Sequence, residues 1–138
     1  MSSFKEVTGR LIVNNREVFK MYNMLPETKG PIVAVRVVGY MTSQDYKTLL
    51  PHIKNRIAQQ GKIRIIIELK DFKSIEILGL LKSLPYSFKY ANNIEKKAII
   101  TDENWVYTWT KIFSPFSKTK VRCFPSSQAE QAWEWVRK

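Results

Sequence analysis

One cysteine, one histidine and twelve acidic residues are all that this 138-residue chain holds of the side chains most used in chemistry. The lone Cys123 excludes an internal disulfide and fits a reducing compartment. The lone His52 has no cysteine near it, which argues against a zinc site. No apolar run approaches the roughly 20 residues of a membrane-spanning helix, and the longest, IIIEL, is interrupted by Glu68. The opening MSSFKEVTGR lacks the basic region and apolar core of a secretory signal, so a cytoplasmic location is the expectation. A glycine-rich phosphate loop, a Ser-His-Asp order, a Cys-His pair and a metal-ligand cluster are missing too. These absences point away from an enzyme, a cofactor or a metal, and toward a binding module.

What the chain has in excess is positive charge. Twenty-three lysines and arginines against twelve acids leave a formal net charge of +11. Such a balance favours phosphate backbones, anionic lipid surfaces or acidic proteins. The basic residues are dispersed, however, and the longest basic run is Lys96-Lys97. Dispersed charge reads first as a solvated surface. The apolar fraction of 44% and aromatic fraction of 12% are those of a folded globular chain of one domain.

Hydrophobic periodicity divides the chain into alternating elements. Residues 1–20 read two ways: RLIVNN as a short strand ending in an Asn-Asn turn, or Phe4, Val7 and Leu11 at helical spacing. They are treated as an appendage to a single domain over 21–138, covering the sheet edge or lying across a second copy in a homodimer. EVFKMYNML and IVAVRVVGYM predict two strands of a hairpin joined by PETKGP. TSQD predicts a capping box with Thr42 as N-cap. Tyr46, Leu49, Leu50, Ile53 and Ile57 then form one helix face, Pro51 predicts a kink or break, and Gly61 a stop. KIRIIIEL, apolar on both alternating faces except for Arg64 and Glu68, predicts a central strand covered on both sides.

A helix is predicted from about Ile75 to Asn92, bent or divided at Pro85, and KKAIIT as a third core strand. Asp102 is read as the cap of the next helix, where Trp105, Val106, Trp109, Ile112 and Phe113 share one face, and Tyr107 and Thr108 look outward. KVRCFP predicts a last strand, and SSQAEQAWEWVRK a closing amphipathic helix capped by Ser126 or Ser127, with Glu130 in its first turn. Trp133 and Val136 are expected to face the sheet, with Trp135 at least partly exposed. The pattern predicts a layered α/β domain whose sheet has at least one antiparallel edge strand.

With these elements in order, GKIRIIIELKDF at 61–72, KKAIITDENW at 96–105, FSPF at 113–116 and VRCFP at 121–125 carry a resemblance. Over roughly residues 20–138 the chain resembles the STAS superfamily of sulphate transporters and anti-sigma-factor antagonists, and within it the SpoIIAA-like family of small bacterial proteins. The resemblance implies a mixed sheet of four or five strands with an N-terminal antiparallel hairpin and helices mainly on one face. Members are similar in shape to phosphorylation-regulated antagonists and to CRAL-TRIO lipid-transfer domains, and fold analogy alone does not fix function.

In the antagonists, an Asp-Ser-Ser-Gly segment opens a helix and its second serine accepts phosphate, aided by the free amides of the helix N-terminus. Here Glu76 matches the acid and Gly79 the glycine, while Ile77 and Leu78 stand at the serine positions. Leucine has no hydroxyl, so that switch is absent at Leu78. Ser74, a few residues earlier, is read as a polar turn residue or cap in preference to a shifted acceptor.

Three functional readings follow. The first is a non-catalytic regulatory module binding a protein partner or a small apolar ligand. Its cavity would be walled by Asp71, Phe72, Leu78, Trp105, Trp109, Phe113 and Phe116, although the aromatic spacing alone fits core packing better. The second is peripheral binding to an anionic membrane through Lys111, Lys118, Lys120 and Arg122 beside an exposed Trp135. Nucleic acid is the weaker form of this reading, because the aromatics follow core periodicity instead of forming a stacking platform. The third is a small hydrolase-like enzyme using Asp71 and Asp102, placed together at the carboxyl ends of parallel strands.

Overall fold

A computed structural model describes the backbone of residues 4–7, 10–13, 16–19, 22–41, 43–75, 89–113, 115 and 118–138, and the side chains of 22–39, 44–45, 47–70, 89–90, 92–112, 115 and 118–138. Near the N-terminus, β1 (Phe4–Val7), β2 (Arg10–Val13) and β3 (Arg16–Phe19) form an antiparallel three-stranded sheet of their own. Of the two readings of RLIVNN, the strand holds. The register pairs Val13 with Arg16 and Val7 with Arg10, leaving two residues between each pair of strand ends.

The main sheet has five strands in sequential order: β4 (Tyr22–Met24), β5 (Ile32–Met41), β6 (Ile63–Ile75), β7 (Ile94–Ile100) and β8 (Lys120–Phe124). β4 runs antiparallel to β5 as the expected hairpin, and the other pairings are parallel. Because crossovers between parallel strands are right-handed, a sheet built in sequential order collects its connecting helices on one face. α1 (Ser43–Gln60) links β5 to β6 and α2 (Asn104–Phe113) links β7 to β8. α3 (Ala129–Arg137) follows the last strand and covers the opposite face. The domain is therefore a mixed α/β fold with a five-stranded sheet and its helices mainly on one side.

Alternation along β6 explains the two layers. Ile63 and Ile65 point to the face where Leu49, Ile53 and Ile57 of α1 and Val106 of α2 pack. Ile66 points to the other, beneath Ala132 and Val136 of α3. Ala34, Ala98 and Ala132 are all fully buried there, and their small side chains let α3 lie close on the strands. The two charges in β6 that break its apolar pattern are both matched. Glu68 meets its in-register neighbour Arg36 at 3.2 Å, and Arg64 meets Glu95 at 3.4 Å.

α1 runs unbroken through Pro51. Proline removes the donor that would bond the carbonyl of Lys47, but Pro51 is on the exposed side and Leu49, Ile53 and Ile57 pin the helix to the sheet on either side of it. Gly61 ends the helix as expected, at φ +81° with its N–H 2.7 Å from the carbonyl oxygen of Ile57. At the other edge Tyr22, fully buried, donates its hydroxyl to Thr48 Oγ1 at 2.7 Å and ties β4 to α1.

β6 is longer than its sequence implied. The turn expected at Asp71-Phe72, and the turn or cap at Ser74, are instead residues of the strand, and Ser74 and Ile75 pair with Tyr40 and Met41. The reason is a register shift: β5 continues past Val38 through Gly39, at φ +74°, and gives β6 a further stretch of edge to pair with. Of the helix expected over 75–92, Ile75 belongs to β6, Ala91–Asn93 form a 3-10 turn, and residues 76–88, with Ile77, Leu78, Gly79 and Pro85, lie outside the described residues.

Candidate functional site

At the carboxyl ends of the strands, β7 leads into Thr101 and Asp102, and β8 into Pro125 and Ser126. Thr101 is buried, and its N–H bonds the carbonyl oxygen of Phe124 at 2.9 Å, zipping the two strand ends together. Asp102 does not cap its own helix. Its carboxylate accepts from the Ser126 N–H at 2.9 Å and from the Ser126 hydroxyl at 2.5 Å. Ser126 opens the 3-10 turn Ser126–Gln128 that leads into α3, so Asp102 caps that turn from across the sheet end, and Ser126 serves as donor instead of helix cap. The Ser126 hydroxyl, then its N–H, hold the Asp102 carboxyl below the usual carboxylate range. A carboxylate so engaged is a poor proton donor. Asp71 lies within β6, and its side chain is outside the described set. Among the described residues, no three His, Cys, Asp or Glu side chains stand together as a metal site.

Over the β8 edge lies α2. Val106 is buried and Trp105 packs half-buried against the helix-covered face of the core. Tyr107, expected to look outward, donates its hydroxyl to the Thr101 carbonyl at 3.2 Å, and burial pushes its phenol pKa up. The stripe expected to face the core divides: Trp109 is 46% and Ile112 55% exposed. A helix seated on an edge strand has no sheet beneath the outer part of its apolar face, and α2 packs on β8, the last strand. Phe113 ends α2 with its side chain outside the described set, Phe72 lies in β6 likewise, and Leu78 and Phe116 lie wholly outside. Beneath α2, Cys123 donates to Thr110 Oγ1 at 3.2 Å, and burial raises its thiol pKa.

The four basic residues singled out in the sequence separate. Lys111 is exposed on α2. Arg122 sits on β8 with its guanidinium 4.8 Å from the Phe124 ring centre. Lys118 and Lys120 stand at the amino end of β8, lining a cleft with Lys62 and Lys96. Sequence reasoning missed the latter two, although a signal was present: a lysine lies beside the start of each of these three parallel strands, in GKI, IEKK and KTK. Trp135 is half-buried, with the Lys96 ammonium 5.1 Å above its ring and the Phe124 ring tilted against it at 6.0 Å. It is thus partly exposed, as expected, with one face covered by Lys96.

Two other places gather charge. On the α3 face, a cavity of about 470 Å³ is bordered by the Arg36–Glu68 pair and by Trp133, against which Arg137 stacks at 5.0 Å. On the helix-covered face, Lys97 lies half-buried between its in-register neighbours Ile65 and Val121, and burial lowers its ammonium pKa.

Known proteins were compared with this geometry. A crystal structure of an uncharacterized protein with a SpoIIAA-like fold from Shewanella loihica superimposes with a TM-score of 0.64, at 15% sequence identity, over 99% of this chain and 92% of that one. At that identity the likeness concerns the fold. No curated protein matches the sequence. The sequence profile of the SpoIIAA-like family matches residues 32–137, from the start of β5 to the end of α3. By that match, supported by the sheet order and the two-sided core, the chain belongs to the SpoIIAA-like family.

Proposed function

We propose that this protein is a non-catalytic, cytoplasmic binding module that docks a protein partner on the outer face of α2. The observation that carries the reading is the exposure of Trp109 and Ile112, one helical turn apart, on an element otherwise anchored by Val106 and Trp105. Large apolar side chains held rigidly at a surface are what buried interface centres are built from, and tryptophan is the residue most enriched there. A convex helix face suits another protein better than a small apolar molecule, which needs a concavity. Lys111 beside the stripe and the net charge of +11 favour a partner whose apolar groove has an acidic rim. The leucine at the family's phosphoacceptor position, Leu78, supports a contact regulated by something other than phosphorylation there.

The test is affinity capture with the full chain, wild type against the Trp109→Ser/Ile112→Ser double variant. Both side chains are exposed, so the thermal midpoint should move little. Proteins retained by the wild type and lost with the variant support the reading. An identical set retained by both refutes it.

A further inference from the structure

We propose that the cleft at the amino ends of β6, β7 and β8 is a binding site for a small soluble oligophosphate, an anion of two or more linked phosphoryl groups. Among the described residues it is lined by Lys62, Lys96, Lys118 and Lys120, with Asn92 as a neutral polar group and Glu95 as a carboxylate. Glu95 offsets only part of that charge, because it acts on Lys96 and is also paired with Arg64 at 3.4 Å. Lys62, Lys118 and Lys120 make no hydrogen bond or ion pair among the described residues. Lysine ammonium groups bind phosphate as point charges, and several around one hollow suit an anion of high charge density.

Helix-end neutralisation is the competing account of a basic cluster. It accounts for two of the cations: Lys96 bonds the Trp135 carbonyl at 3.0 Å and Arg64 the Val136 carbonyl at 2.9 Å, together capping the last turn of α3. The remaining three lysines have no such task among the described residues. The bond to the Trp135 carbonyl also fixes Lys96 in place, so part of the site is held ready before any ligand arrives. Burial, and then the charges of Arg64 and Lys120, push the Lys96 ammonium below its usual pKa. A bound anion would relieve that repulsion.

Size and lining choose among anions. The hollow is about 420 Å³, within the range of small-molecule sites. Among the described residues no aromatic side chain lines the cleft and Ile94 is its apolar wall, so none of them stacks on a nucleobase. The site lies opposite the carboxyl-end crevice where parallel sheets usually take ligands. There the ends of β7 and β8 are joined by the Thr101–Phe124 and Asp102–Ser126 bonds.

Isothermal titration calorimetry of the full chain with inorganic tripolyphosphate, at about 0.1 M salt to screen dispersed charge, tests the assignment. The expectation is saturable one-to-one binding, weakened about tenfold or more in Lys118→Gln/Lys120→Gln, since a hydrogen bond to a charged group contributes on that scale. The control, Lys47→Gln/Lys70→Gln, removes the same charge from exposed positions on α1 and β6, away from the cleft, and should bind like the wild type. Absence of saturable binding overturns the proposal. Equal weakening in both double variants does so as well, by reducing the effect to net charge. Anionic vesicles or a single-stranded oligonucleotide binding where tripolyphosphate does not would also overturn it.

Discussion

Replacing Ile65 and Ile66 by alanine, one at a time, tests whether both faces of the sheet are covered. The two residues are adjacent in β6 and point to opposite sides, with 3% and 1% of their surfaces exposed. In a sheet with one solvated face, one substitution would be severe and the other nearly silent, within about 0.5 kcal/mol. Here Ile65 lies under the layer of α1 and α2, and Ile66 under Ala132 and Val136 of α3. Each substitution removes three carbon atoms, about 2.4 kcal/mol of transfer free energy at roughly 0.8 kcal/mol per carbon. The residual cavity raises this to about 3 kcal/mol. With a urea slope of about 2 kcal/mol/M, both midpoints should fall by about 1.5 M relative to the wild type. Equilibrium urea unfolding followed by tryptophan fluorescence measures this directly. A normal midpoint for Ile66→Ala beside a large loss for Ile65→Ala would mean that α3 does not cover its face, and the two-sided core would be refuted.

Two further outcomes follow from single residues. Pro51→Ala should stabilise the protein by about 2 kcal/mol, the roughly 3 kcal/mol penalty of an interior helix proline less the freedom regained by the unfolded chain. A lower thermal midpoint would show that α1 depends on the proline for its seat. Asp102→Asn should flatten the acid limb of stability against pH. The folded carboxyl sits below its ordinary value of 3.8 because Ser126 bonds its charged form. Its contribution is therefore complete above that value and disappears as pH falls through the lower, folded one. Unchanged acid sensitivity in Asp102→Asn would remove the Ser126 bonds as its cause.

Much of the fold was legible because it depends on neighbours in the chain. Three isoleucines in a row with apolar residues on both sides of the pleat predicted a central strand, and β6 is one. Gly61 marked the end of α1 because a left-handed terminus suits a residue without a Cβ. The spacing of Trp133 and Val136 gave the side of α3 that meets the sheet, where Ala132 is buried as well. The candidate sites were less legible. The same periodicity that placed Trp109 and Ile112 toward the core is blind to how far a sheet extends beneath a helix, and β8 is its last strand. Asp102 looked like the cap of the helix beside it, and its partner lies 24 residues away.

The sequence by itself determined the class of each well-described element, the two-sided core and the family, because periodicity, turn chemistry and motif order are properties of adjacent residues. Strand order and register decided the rest. They brought Lys62, Lys96 and Lys120 to one end of the sheet, joined the ends of β7 and β8 at the other through Asp102 and Ser126, and left Trp109 and Ile112 of α2 exposed. Each of these juxtaposes side chains far apart in the chain, and only the packing of β6, β7 and β8 side by side sets their distances.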